Sequence, residues 1–273
     1  MPMTGTNGRE AEVAGLLKGA IDLHCHSGPA AMPRILDHHD ALLDAAGAGF
    51  RALLYKDHFY LGVSHCVILE KLVPTDVKLY SGLALNNASG GINPHAVNHA
   101  VNIGATMLPP EPLSALDANG RLTDATKAVL DLIAEGDIIL AGGHLPASEL
   151  IMVFEEAGRR GVKKMLVNHP TYIVGCTDED MKALVGLGAY LEHSISMFVE
   201  GAGKIFGPDE LSHYIQLVGP ERTVVSSDLG LRGSPRPLEG FRQIVAMLLD
   251  LQVSPKDIRT MIGDNAAKLL NLQ

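Results

Sequence analysis

His24 and His26 flank Cys25 at the end of a short apolar run, Ile21-Asp22-Leu23, and the chain then breaks at Gly28-Pro29. Side chains alternate faces along a strand, so the two imidazoles share one face and Cys25 takes the other. Neutral imidazole is the commonest metal ligand, and two of them at a strand's exit can grip one divalent ion. A pair of hydrogen-bonded histidines without a metal would look the same in isolation. The rest of the chain supplies the discrimination. Lys56, His144, His169, His193 and Asp228 each close a further apolar run. Gathering that many buried imidazoles around a carboxylate with no metal would be costly. The chemistry this set points to is that of a divalent metal site.

The elements that must position these groups follow in a regular order. Apolar strand-like runs fall at residues 21–26, 51–56, 78–85, 105–108, 138–141, 164–168, 189–193 and 223–228, and a helical pattern follows each. Eight strand-then-helix units imply an α/β protein with a parallel sheet, closed as a (β/α)8 TIM barrel. An open doubly wound sheet is the alternative, but no Gly-x-Gly-x-x-Gly or Walker loop follows any strand. Residues 1–20 read as an N-terminal tail and a short helix at 9–18, and residues 21–273 as one barrel domain. In such a barrel the catalytic groups sit at the C-terminal strand ends on inward-pointing side chains. Alternation then makes Leu54, Leu140, Val167, Leu191 and Ser226 their inward neighbours.

Composition narrows the partners. The 273 residues carry a net charge of −9 with no basic cluster, which argues against nucleic acid or an anionic membrane surface. No apolar stretch approaches the ~20 residues of a membrane span. Cys25, Cys66 and Cys176 are scattered and odd in number, so a reducing compartment is expected. The first ten residues lack a signal-peptide layout, and the location expected is cytoplasmic. Met197-Phe198 and Ile205-Phe206 form an apolar loop patch that would suit a homo-oligomer contact.

The His-x-His of the first strand, single histidines on the fifth and sixth (His144, His169) and Asp228 in Ser-Ser-Asp on the eighth together resemble the amidohydrolase superfamily. The closing Gly263-Asp264-Asn265-Ala266-Ala267-Lys268-Leu269-Leu270 is similar to the helix that ends many such chains, whose Asn-x-Ala-x-Leu pattern packs under the barrel. The resemblance spans residues 21–272. It implies a barrel with one or two divalent metals that hydrolyses amides, cyclic amides, lactones or esters of a small molecule.

Carried over by position, His24, His26 and Asp228 would bind a first metal, and His144 and His169 a second. In one-metal relatives His144 joins the first set. Zinc fits a nitrogen-rich set without thiolates, with manganese or iron as alternatives. Asp228 would be the general base, and the metal or His193 would polarise the carbonyl. The sequence departs from the pattern on the fourth strand, which lacks the usual bridging lysine or glutamate; Glu111 lies beyond two prolines. Lys56 is the better candidate, as a carboxylated bridge or as a binder of a substrate carboxylate. A mononuclear deaminase or non-oxidative decarboxylase is the alternative activity. His58, Asn86, Tyr172 and Arg232 are candidate substrate-binding groups, and Arg34 and Arg236 lie in loops on the same side. His38 and His39 read as surface or capping residues at a helix start.

Overall fold

A computed structural model describes residues 4–108 and 114–273; Pro109, Pro110 and Glu111 lie outside the described residues. Eight parallel strands follow in order: β1 (Ile21–Cys25), β2 (Ala52–Tyr55), β3 (Lys78–Ser81), β4 (Met107–Leu108), β5 (Ile139–Ala141), β6 (Met165–Asn168), β7 (Tyr190–Ser194) and β8 (Thr223–Ser226). Around them lie α1 (Thr4–Leu17), α2 (His38–Ala48), α3 (Val63–Leu72), α4 (Pro94–Asn102), α5 (Asp124–Glu135), α6 (Ala147–Arg159), α7 (Asp178–Gly186), α8 (Pro208–Val218), α9 (Pro237–Asp250), α10 (Pro255–Arg259) and α11 (Asn265–Leu269). Helix starts are set where the sequence places a capping side chain. Asp37, Asn93, Thr123 and Thr177 each accept backbone N–H groups of the first turn, and Pro94 fills the position after Asn93.

Strands pair in chain order as two arcs, β1-β2-β3 and β4 through β8. Two seams join the arcs into a ring. At the first, Leu83 N donates to Met107 O (2.9 Å) and Thr106 N to Ser81 O (3.0 Å). At the second, Asp228 N donates to His24 O (2.8 Å) and His26 N to Leu229 O (3.0 Å). Each seam passes a glycine too close for any side chain. A Cβ on Gly82 would lie 2.7 Å from Met107 O, and one on Gly230 would lie 1.6 Å from His26 O.

Inside the ring, Ile21, Leu23, Ala52, Leu54, Met107, Ile139, Ala141, Leu166 and Val224 pack together, and Ala266, Ala267, Leu269 and Leu270 close them from beneath. The C-terminal Asn-x-Ala-x-Leu segment therefore plugs the barrel floor, as its resemblance implied. Asn265 Nδ2 fixes it there by donating to Pro220 O (2.8 Å) and Thr223 O (2.7 Å). The helix layer packs through spacings of three and four, such as Phe241, Ile244, Val245 and Leu248 on α9.

Several expectations need correction. Leu54 does point inward, but Leu140, Val167 and Leu191 face the helix layer, packed with residues of α5, α6 and α7. β7 runs one residue further than expected, to Ser194, which reverses its faces; β5 and β6 end where expected, and the alternation breaks instead in the turns that carry His144 and His169. β3 ends at Ser81 rather than at 85, because the chain then turns into a short 3₁₀ helix at 87–89 capped by Asn86. The last expected helix is broken by a π-helical stretch, Thr260–Asp264. The first starts at Thr4, earlier than expected. Met197 and Phe198 are buried in the core, which removes half of the apolar loop patch. No described helix is long and apolar enough to cross a membrane.

Candidate metal centre

The second seam builds the site. β1 gains a residue against β2: Asp22 pairs with Leu53 and Cys25 with Tyr55, three steps against two. This bulge breaks the alternation after Leu23, which packs into the barrel core, and turns His24 inward too. Cys25 then packs against the helix layer and His26 faces the site, as alternation predicts. Behind the bulge, Asp22 accepts from His24 N (3.0 Å), Ser227 N (2.9 Å) and Ser227 Oγ (2.5 Å), welding β1 to β8. Burial lifts the Asp22 carboxyl to about 6, against those hydrogen bonds.

The inward groups converge on Asp228. Its Oδ1 lies 3.3 Å from His24 Nε2 and 3.1 Å from His26 Nε2; its Oδ2 accepts from Ser196 Oγ at 3.0 Å and lies 3.8 Å from His169 Nδ1. Burial pushes the Asp228 carboxyl up. Positive charge on the surrounding imidazoles, or held between them, outweighs it and takes the carboxyl well below the usual carboxylate range. Asp228 and His169 both adopt left-handed backbone angles, φ 49° and φ 48°. Those turns let a residue just past its strand swing into the barrel mouth, at a cost in strain that site residues commonly bear. Because of its turn, His169 joins Asn168 on the site side instead of alternating with it.

The hydrogen bonds around the two β1 histidines fix their protons. His26 Nδ1 lies 2.8 Å from Lys56 O, a carbonyl that can only accept, so Nδ1 carries the proton. Its other nitrogen, Nε2, faces a carboxylate oxygen. A neutral imidazole would then set a lone pair against an oxyanion, an arrangement that calls for a cation between them. His24 Nδ1 lies 2.6 Å from Glu192 Oε1, which likewise leaves Nε2 as acceptor, with Lys56 Nζ 3.0 Å away. Burial, followed by the Lys56 charge, holds the His24 imidazolium well below its ordinary pKa. His169 is lowered to about 3, mainly by burial, and its Nδ1 hydrogen-bonds Ser194 Oγ at 2.8 Å. Ligand atoms of His24, His169 and Asp228 all fall within 4.8 Å of one another. Neutral imidazoles around an ionised carboxylate, with His24 and His26 each held at Nδ1 on the side away from it, fit a divalent ion.

The structure brings together His24, His26, Lys56, His169 and Asp228. His144 lies at the same mouth, its ring 5.3 Å from that of His169, and the His58 ring is 4.9 Å from that of His26. Asn86 is spent on structure: Oδ1 caps Ala88 N and Ser89 N, and Nδ2 donates to His58 O. Tyr172, after β6, and Arg232, after β8, stand exposed on loops at this end of the barrel. His193 does not reach the site. It points to the helix layer, stacked on Tyr214 of α8 with ring centroids 5.3 Å apart, and burial lowers it to about 4. The inward residues of β7 are its neighbours Glu192 and Ser194. His38 is also reassigned, from surface to a buried position where Nδ1 bonds Ser27 Oγ (2.5 Å) and Nε2 bonds Tyr60 OH (3.0 Å).

Glu192 was not anticipated. It is fully buried, Asn168 Nδ2 donates to its Oε2, and it is lifted to about 7 by burial, against the charge of Lys56. Its signal was a carboxylate at the centre of a strand, where a charge is not buried without a partner.

Comparison with known structures shows the same TIM-barrel architecture. An amidohydrolase from Pseudomonas aeruginosa is similar over 96% of this chain and 98% of its own, with TM-score 0.69 and 12% identity. The probable dipeptidase PvdM from Pseudomonas aeruginosa has the same coverage, with TM-score 0.70 and 10% identity. An uncharacterized TIM-barrel protein from Bordetella bronchiseptica matches 98% of this chain and 92% of its own, with TM-score 0.61 and 11% identity. At these identities the likeness is one of fold. The chain belongs to the family described as a family of unknown function (DUF6282), which matches residues 19–109 and 108–192. No curated protein matches it in sequence.

Proposed function

We propose that this chain is a metal-dependent hydrolase of a small-molecule amide, cyclic amide, lactone or ester. The observation that carries the reading is the pair of imidazole Nε2 atoms turned on Asp228 Oδ1, each ring's Nδ1 engaged elsewhere. His24, His26, Asp228 and His169 would hold the ion, with His144 beside them, and zinc suits this donor set. Bound there, a divalent ion supplies Lewis acidity toward water and a carbonyl oxygen. Asp228, ionised and partly open to the mouth, takes the proton of the attacking water and passes it to the leaving group. Ser196 holds Oδ2 in place during that transfer, and Glu192 and Ser194 fix the ring orientations of His24 and His169. Lys56, beside His24, would help hold the ion as a carbamate formed with carbon dioxide, or would meet a substrate carboxylate as an ammonium. Two of the structural neighbours, the amidohydrolase and the probable dipeptidase, have names that refer to amide bonds.

A second reading, a one-ion deaminase or decarboxylase, is favoured by one feature. Among the described residues the tight ligand group at this site contains one carboxylate, Asp228. The test for both is an activity panel of dipeptides, cyclic amides, lactones and aminated or carboxylated aromatics, with and without chelator. Chelator-sensitive hydrolysis supports the first reading, and chelator-sensitive ammonia or carbon dioxide release replaces it with the second.

A further inference from the structure

The loop between β1 and α2 carries a guanidinium whose donors the chain does not fill. Arg34 forms an antiparallel bridge with Leu231, and Ile35 N donates to Gly230 O at 2.8 Å, so its backbone stands beside the loop that follows β8. Its Nη2 reaches Asp57 Oδ2, 3.5 Å away, just beyond β2. In the ring β1 lies between β8 and β2. The side chain therefore passes across the exit of β1, next to the segment that carries His26.

That side chain is 4% exposed, yet Nε and Nη1 are buried with no hydrogen-bond acceptor among the described residues. A guanidinium cannot shed its proton, and buried donors left bare are destabilising. Asp57 balances the charge but does not fill the donors: its Oδ1 accepts from Phe59 N at 2.8 Å, and its contact with Nη2 is long. The empty positions are flat, in the guanidinium plane, and already beside one anion. The open donors lie on the two edges that Nη2 shares, Nε–Nη2 and Nη1–Nη2. A carboxylate can pair with one such edge, and with Asp57 already balancing the charge a singly charged partner suits it better than a doubly charged phosphate.

We infer that Arg34 anchors a carboxylate on the substrate, making the substrate class a carboxylate-bearing amide or related compound. The inference rests on the hydrolase reading for the word substrate, but not for the binding itself. The test is calorimetric titration of N-acetylglycine and its neutral methyl ester into metal-loaded and chelator-treated protein. The wild type should bind the acid at least about tenfold more tightly than the ester in both forms. Arg34→Gln should bring the two within about twofold, Arg34→Lys should keep part of the preference, and Asp57→Asn should retain or enlarge it. Circular dichroism melts of all variants check folding, and Arg34→Lys and Asp57→Asn carry the test if Arg34→Gln does not fold.

Equal binding of acid and ester by the wild type would overturn the inference, as would an unchanged preference in Arg34→Gln. So would a preference lost on chelation, which would put the carboxylate on the metal. Inorganic phosphate displacing N-acetylglycine at lower concentration than the acid itself requires would replace the ligand class. A chain that takes up no zinc would end the hydrolase reading while leaving the acid-over-ester preference intact.

Discussion

Glu192 Oε1 lies 2.6 Å from His24 Nδ1, both side chains sealed from solvent, and the far side of the same imidazole faces Asp228. A carboxylate behind a ligand histidine fixes its tautomer and raises its basicity. Glu192→Gln should therefore weaken metal affinity by about 10–100-fold while the protein still folds. Competition with a chromogenic chelator measures this, and unchanged affinity would remove Glu192 from the metal-holding apparatus.

Asp228 sits at φ 49°, a conformation that asparagine tolerates well among non-glycine residues. Asp228→Asn should leave the fold intact and lower kcat by at least about 10²–10⁴-fold, the range for loss of a general base. The readout is kcat on whichever substrate the panel identifies, beside a thermal melt. Activity within a few-fold of wild type would assign the proton transfer elsewhere.

Gly230 backs onto His26 O at φ 124°, where a Cβ would stand 1.6 Å from that oxygen. Gly230→Ala must push β8's exit away from β1 and so separate Asp228 from His26. The expected loss exceeds the ~0.5–3 kcal/mol of an ordinary substitution, and metal uptake should fall with it. Gly120→Ala, in open space at φ 72°, serves as the control for backbone strain alone. Equal melting temperatures for the two variants would contradict the close approach.

Burial holds His193 to about 4 in the folded chain, against 6.5 for the free side chain. The unfolded chain therefore binds its proton first as pH falls. The stability this residue contributes is complete above pH 6.5 and is lost progressively between pH 6.5 and 4, by roughly 3 kcal/mol at the end. His193→Phe, which keeps the ring against Tyr214, should flatten that part of the stability–pH curve without changing hydrolysis. An activity loss in a stably folded His193→Phe would return this residue to the site.

Much of the site was legible because strand ends are marked in sequence. His24, His26, His169 and Asp228 each follow a short apolar run, and the structure gathers all four. His193 and Glu192 exchanged roles because adjacent strand residues face opposite ways, and the strand's end was read one residue early. Leu23 and His24 show the complementary difficulty, since a bulge turns both inward and no periodicity announces it. The orphaned nitrogens of Arg34 depend on what surrounds them in three dimensions, and its loop position alone carried no such signal.

The central claim is that these side chains hold a divalent ion, and metal content per chain tests it most directly. Protein purified without chelator, and again after dialysis against zinc or manganese, should contain one or two ions per chain. Asp228→Ala combined with His26→Ala should lose them while the circular dichroism spectrum is retained. A wild-type chain that holds no ion and takes up neither metal would contradict the account.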